Sequence, residues 1–278
     1  MEWWQALILG IVQGLTEFLP VSSSGHLMIF KELLGVDAEG FLDFTVTVHF
    51  ATVLSTVIVF WSAIWSLFKG IFKFRYNDET DYVAKLIVSM VPVAVVGLFF
   101  KDSVEALFGE SLFVVAISLI ITALLLFLSD NAGRFSGRRK PSAGADVPER
   151  RNGISFLQAF VVGLGQACAV APGLSRSGTT ITACLLCGFD RKFAVKYSFI
   201  LSIPAILGAA VLEISDLGNE VITSGLVGTY LAGMVAAALV GYVCIKTMLV
   251  VVKNKKFKYF AFYCFAIGIV SIAGHFIL

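Results

Sequence analysis

Reduced to apolar and polar positions, the chain is a series of long hydrophobic runs separated by short polar breaks. Six runs, at roughly 41–66, 84–100, 111–129, 193–213, 224–250 and 259–277, each come near the ~20 residues a helix needs to cross a hydrocarbon core ~30 Å thick. Two further apolar stretches, 1–30 and 154–190, are interrupted in the middle by Pro, Gly and Ser. Their halves, roughly 10–18 residues each, are too short to cross comfortably, which predicts hairpins that enter the membrane and turn back. The longest hydrophilic stretch, Asp130 to Gly153, reads as a linker. The pattern therefore predicts an all-α polytopic membrane protein with six transmembrane helices and two re-entrant helical hairpins. A first repeat would cover 1–129, a cytoplasmic linker loop 130–153, and a second repeat 154–278.

The two interrupted stretches resemble each other. A shift of 153 residues places Gln13 on Gln166, Gly10 on Gly163, and the run Ser22-Ser23-Ser24-Gly25 on Ser175-Arg176-Ser177-Gly178. Each is followed by three spans, and an odd number of crossings per half implies halves of opposite orientation, an inverted-topology repeat. Basic residues give an independent orientation, because cytoplasmic loops collect Lys and Arg. With both termini outside, the inner loops hold Lys69, Lys73 and Arg75; Arg134, Arg138, Arg139, Lys140, Arg150 and Arg151; Arg191 and Lys192; and Lys253, Lys255, Lys256 and Lys258. The outer loops then hold Lys31 and Lys101, and Ser215 to Thr223 carries no Lys or Arg. In that frame the first hairpin enters from outside and the second from inside, and their tips can meet near the midplane.

Composition sharpens the class without changing it. Of 278 residues, 58% are hydrophobic and only 14% charged, against about 25% charged in soluble domains. A soluble core of this size would not hide so much apolar surface. The net charge of +2 and the lack of a basic tail give no reason to expect a nucleic-acid partner. The first apolar run follows Met1-Glu2 without a basic flank, so no cleavable signal is expected. All five cysteines lie in apolar runs, and the C-x-x-C of Cys184 and Cys187 has no second ligand pair nearby, so the expectation is small core residues.

Against this background the polar residues at the breaks stand out. Glu17 is the only Asp, Glu, Lys or Arg between Glu2 and Lys31, and Arg176 the only one between Arg151 and Asp190. At the centre of a lipid-embedded helix each would cost roughly 2.5–3.5 kcal/mol. An ion pair stapling the hairpins would offset that cost but would need no histidine and no ring of hydroxyls. "SSSGH" and "SRSGTT" each place Ser, Gly and Ser/Thr just ahead of a returning helix, where free N–H groups and the positive end of the dipole favour an anion. Arg176 offers a planar fork for phosphate oxygens. Gln13 and Glu17, four apart, share a helix face and can offer oxygen ligands to a divalent cation. His26 can carry a proton near neutral pH. An anion cradle, a cation ligand, a guanidinium and a proton carrier are the parts needed for phosphoryl transfer.

"QGLTEFLPVSSSGH" (Gln13 to His26) and "PGLSRSGTT" (Pro172 to Thr180) resemble the two signature segments of the undecaprenyl-diphosphate phosphatases of the BacA/UppP family. The first follows that family's [E/Q]-x-x-x-E pattern and the second its P-G-x-S-R-S-x-x-T pattern. The resemblance implies hydrolysis of undecaprenyl diphosphate to the monophosphate, recycling the carrier lipid for peptidoglycan, with bacitracin resistance. It also implies a bacterial plasma membrane and an active site open to its outer side. Glu17, Ser23, His26, Ser175, Arg176 and Thr180 sit on the family's functional positions. Where some members have Glu, this chain has Gln13, which weakens any scheme in which two carboxylates hold the metal.

The resulting expectations are specific. Glu17, with help from Gln13, holds Mg²⁺ or Ca²⁺ against the diphosphate. Arg176 neutralises the terminal phosphoryl group among Ser22, Ser24, Gly25, Ser175, Ser177, Gly178, Thr179 and Thr180. His26 activates either Ser23 or a water; Ser23 is preferred, with the choice open. The partners are a polyprenyl diphosphate lipid and the bilayer, and homo-oligomerisation is left open. A rival reading is a carrier or flippase for an anionic polyprenyl phosphate lipid, since broken helices meeting at the midplane are also transporter architecture. His49 has no polar neighbours in sequence and reads as a hydrogen-bonded core residue. His275 and Trp3, Trp4, Trp61 and Trp65 read as interfacial, and the Phe257 to Phe265 cluster as lipid-facing. Pro92 and Pro204 read as kinks or packing points.

Overall fold

The structure is a computed structural model that describes residues 1–37, 40–100, 103, 111–131, 153–216, 224–254 and 256–277. Most of the 130–153 linker, with Arg134, Arg138, Arg139, Lys140, Arg150 and Arg151, lies outside the described residues, as do Lys101, Lys255 and 217–223. Among the described residues the regular structure is helical: α1 (Trp3–Thr16), α2 (Ser23–Leu34), α3 (Phe41–Val59), α4 (Trp61–Ile71), α5 (Asp78–Phe99), α6 (Leu112–Asp130), α7 (Phe156–Cys168), α8 (Arg176–Leu186), α9 (Arg191–Asp216), α10 (Ser224–Asn254) and α11 (Lys258–Ile277).

Six of these, α3, α5, α6, α9, α10 and α11, are long and apolar enough to cross a membrane. The polytopic all-helical reading therefore holds. The interrupted stretches form two pairs of short helices, α1–α2 and α7–α8. At 1.5 Å per residue, the 14 residues of α1 and 12 of α2 reach only about 21 and 18 Å, short of the hydrocarbon thickness. The offset read from sequence recurs in the helix starts: Trp3 corresponds to Phe156, and Ser23 to Arg176.

Local chemistry sets these boundaries. Capping boxes open α1 (Glu2 with Gln5) and α7 (Ser155 with Gln158). The hydroxyls of Ser22 and Ser175 accept from the N–H groups of Gly25 and Gly178 at 3.2 and 3.0 Å, capping α2 and α8 alike. Gly35, in the left-handed conformation, closes α2.

One expected span divides. The 41–66 run is not a single helix but α3 and α4, broken at Phe60, whose backbone (φ −100°, ψ 16°) leaves the helical region. The Phe60 ring is buried edge-on against Phe199, and α4 turns the stacked rings of Trp61, Trp65 and Phe68 outward, with Phe72 tilted against them at its C-cap. A short helix with one aromatic, exposed face and Lys69 over Trp65 fits a membrane–water interface rather than the hydrocarbon interior.

Close approach between helices depends on glycine at two positions that the 153-residue offset superimposes. A Cβ on Gly10 would sit 2.2 Å from the carbonyl oxygen of Gly233, locking α1 onto α10. A Cβ on Gly163 would sit 2.4 Å from the carbonyl oxygen of Ser89 and 3.0 Å from the ring of Pro92, locking α7 onto α5. Pro92 is thus a packing point, as expected. We expect Gly163→Ala to lower stability by about 1–3 kcal/mol, the usual cost of overpacking, seen as a lower melting temperature in detergent. Gly208→Ala, where a Cβ meets nothing within 4 Å, is the control and should not lower it.

Candidate active site

The site forms where the first turns of α2 and α8 meet the end of α1. Ser23 and Arg176, equivalent under the repeat offset, are the first residues of their helices, and both reach Glu17. Arg176 Nη2 forms an ion pair with Glu17 Oε1, and Ser23 Oγ donates to Glu17 Oε2 at 2.6 Å. Gln13, one turn earlier on α1, donates Nε2 to the same Oε2 at 2.9 Å. The Glu17 side chain is 2% exposed and that of Arg176 22%, so the carboxylate is the floor and the guanidinium part of the rim. The pair is surrounded by hydrogen-bond donors, the condition under which a buried ion pair is tolerated.

The hairpins are joined by more than this pair. The Gly173 N–H donates to Ser24 Oγ at 3.3 Å, and Ser177 Oγ donates to the Leu19 carbonyl at 3.3 Å. Gly173 has φ +82°, and a Cβ there would lie 2.8 Å from Val115 Cα, so this tip admits only glycine. Ser22 adopts φ +72°, unusual for a residue with a side chain, and its carbonyl accepts from both the N–H and Nδ1 of His26, at 3.2 and 2.7 Å.

That contact defines the state of His26. A carbonyl only accepts, so Nδ1 carries a proton, and in the neutral ring Nε2 accepts from the Tyr263 hydroxyl at 2.8 Å. The two rings also stack, 7° from parallel. Both ring nitrogens are therefore occupied by groups other than Ser23, and the geometry places Glu17, not His26, against the Ser23 hydroxyl. Tyr263 comes from the cluster read as lipid-facing. That reading holds for Phe262 and Phe265, which are exposed, and not for Phe257, which is buried; Tyr263 is as exposed as Phe265 but turns its hydroxyl onto His26.

The remaining sequence-derived candidates divide in use. Ser175 and Ser177 share a 3.3 Å contact between hydroxyls. Thr179 and Thr180 turn their hydroxyls back onto the Arg176 carbonyl at 2.9 and 2.8 Å, and Thr180 also meets Ser198 of α9 at 2.7 Å. These hydroxyls build the first turn of α8 and hold it against α9. Of the candidates read from the sequence, only Ser23, Ser24 and Arg176 are partly open.

His49 is the residue the sequence did not reveal. Its Nδ1 donates to the Thr45 carbonyl at 2.7 Å, as a core histidine would, but its Nε2 stands 3.6 Å from Glu17 Oε2. The polar company missing along the chain is supplied across space by α1. No local pattern signals this; only the packing of α3 beside α1 does.

The oxygen chemistry suits a hard cation in part. With its amide nitrogen turned to Glu17, Gln13 leaves Oε1 buried without a hydrogen-bond partner, an acceptor set beside a carboxylate. Among the described residues no group of three His, Cys, Asp or Glu is arranged to hold a metal ion. Glu17 and Gln13 are the side chains whose oxygens could hold such an ion, with substrate and water completing its shell.

Fold and site together define an all-helical integral membrane protein with a charged, hydroxyl-rich centre between two paired helical hairpins. The chain belongs to the bacitracin resistance protein BacA family, whose model matches residues 6–270. It is 46% identical over 275 residues to an undecaprenyl-diphosphatase of Parabacteroides distasonis, and 45% identical over 274 to one of Bacteroides fragilis, each match covering 98% of both chains. A relative of the same name from Halothermothrix orenii is 36% identical over 272 residues, again with 98% of each chain covered.

Removing one partner of a buried ion pair costs more than removing both. We expect Arg176→Met alone to destabilise by roughly 3 kcal/mol. Adding Glu17→Gln should restore most of that loss, with both variants read from melting curves in detergent.

Proposed function

We propose that this protein hydrolyses undecaprenyl diphosphate to undecaprenyl phosphate and inorganic phosphate. The observation that carries the reading is the Ser23 hydroxyl at 2.6 Å from a buried carboxylate that also holds Arg176 across the two hairpins. Nucleophile, base and phosphate-binding fork thus share one point. The names of the relatives support the same substrate.

In the proposed reaction, Arg176 and the positive ends of α2 and α8 orient the terminal phosphoryl group. Ser23 Oγ attacks its phosphorus while its proton passes to Glu17, the bond to the bridging oxygen breaks, and undecaprenyl phosphate leaves. Water then cleaves the phosphoserine, releasing inorganic phosphate and restoring the hydroxyl. Direct attack by water in place of Ser23 is the variant this scheme must exclude. Mg²⁺ or Ca²⁺, when held by Glu17 and Gln13, would neutralise charge on the diphosphate oxygens. His49 shields Glu17 from the side of α3. His26, tied to the Ser22 carbonyl, keeps the turn before Ser23 in its unusual conformation, and Tyr263 fixes the ring. Basic residues at Lys69, Lys73, Arg75, Arg191 and Lys192 support an orientation with both termini outside and the site open to the outer side of a bacterial plasma membrane.

The test is phosphate release from undecaprenyl diphosphate by purified protein in detergent. We expect EDTA to abolish release and added Mg²⁺ or Ca²⁺ to restore it. Ser23→Ala and Glu17→Ala should each lower kcat by on the order of 10³-fold, as for removal of a nucleophile or its base. Near-normal turnover in Ser23→Ala would replace the serine with water as nucleophile. A folded wild type that binds the lipid but releases no phosphate under any metal condition would turn the reading to a lipid carrier. His49→Leu should lower kcat by about tenfold while leaving the melting temperature near that of wild type, as for loss of a supporting electrostatic contact.

A further inference from the structure

A cavity of about 550 Å³ lies against the second hairpin tip. It is bounded by Val96 of α5, Ile117 and Ile121 of α6, and Cys168, Ala171 and Leu174 of the tip. Its origin is geometric. The 13 residues of α7 end at Cys168, and past that end the described residues of α5, α6 and the tip leave an open space between them. Apart from the Ser118 hydroxyl and the Cys168 thiol, the lining side chains are hydrocarbon. The groove therefore offers nothing to a headgroup or an ion and suits a flexible chain.

Its position relative to the phosphoryl site is what selects the chain. Leu174, in its wall, directly precedes Ser175 and Arg176, the cap and first residue of α8. Gly173, next to it, packs on Val115 and Ser118 of α6 and donates to Ser24 of the other hairpin. A lipid whose diphosphate is held by Arg176 and Ser23 must lead from a charged centre into apolar surroundings, and Leu174 in the wall of this groove is the chain neighbour of Ser175, which caps α8. Its size falls within the roughly 300–1,000 Å³ of ligand pockets, enough for the near end of an isoprenoid chain and not for its whole length.

We propose that this groove is the tail subsite, holding the isoprene units nearest the diphosphate between α5, α6 and the second hairpin. The inference rests on the phosphatase reading above, and its test has one arm that does not. In the kinetic arm, Ile117→Trp, at a position with an exposed side chain, narrows the groove without entering the core. We expect kcat/KM for undecaprenyl diphosphate relative to isopentenyl diphosphate to fall by about tenfold or more, the loss of at least about two buried methylenes' worth of contact. A ratio within about twofold of wild type would overturn the assignment.

The second arm uses Cys168, which is exposed, in a Cys187→Ser background whose other thiols are buried. Undecaprenyl diphosphate should slow maleimide labelling of Cys168 by about tenfold, while isopentenyl diphosphate and added phosphatidylglycerol should not. Equal labelling with and without the long-chain lipid would overturn the proposal, as would equal protection by phosphatidylglycerol, which would make this a groove for bilayer lipid. Protection without any phosphate release would keep the tail subsite and remove the phosphatase reading.

Discussion

The structure turns on the charge pair between Glu17 and Arg176. Each is costly in a membrane interior, and neither hairpin offers the other's sign within its own segment. The two halves of the chain are therefore obliged to bring their tips together. The small residues at the tips and the hydroxyl caps of α2 and α8 serve that meeting, while Gly10 and Gly163 seat α1 on α10 and α7 on α5. The same proximity that makes the carboxylate tolerable gathers an anion-binding fork, a hydroxyl and an oxygen ligand at one place, so burial and chemistry have one cause.

The repeat gives this centre its division of labour. At the first position of corresponding helices one half carries a hydroxyl and the other a guanidinium, and both contact the same carboxylate. The equivalent glutamines diverge likewise: Gln13 is bonded to Glu17, whereas Gln166 donates to the sulfur of Met90 at 3.4 Å, away from the site. One scaffold used twice in a membrane frames an asymmetric site, because each copy supplies only part of the chemistry.

Much of this was legible along the chain. Long apolar runs announced the spanning helices, and their interruption announced the paired short helices, because backbone periodicity and membrane thickness act locally. Glu17, Ser23 and Arg176 could be picked out because a polar residue in an apolar run is conspicuous. Three things were hidden for the opposite reason. The break at Phe60 lies inside a continuous hydrophobic run, where helix and kink look alike in composition. The approach of His49 to Glu17 depends on α3 packing beside α1. The engagement of His26 by Tyr263 joins residues 237 positions apart. The sequence marked Glu17, Ser23 and Arg176 as candidates but not which of them touch, so the carboxylate's direct hold on Ser23 emerged only from the fold.

The aromatic ladder of α4 has a consequence for how the enzyme sits in its solvent. Trp61, Trp65 and Phe68 stack in series and Phe72 tilts against Phe68, an exposed aromatic row that suits the headgroup boundary, and α4 joins α3 through the bend at Phe60. Set at a headgroup boundary, such a row would act as a waterline for α3, which carries His49 beside the carboxylate. A thinner or thicker bilayer would pull on that waterline before it pulled on the hairpins, so lipid chain length would act on this site as a mechanical variable, readable as turnover in vesicles of graded thickness.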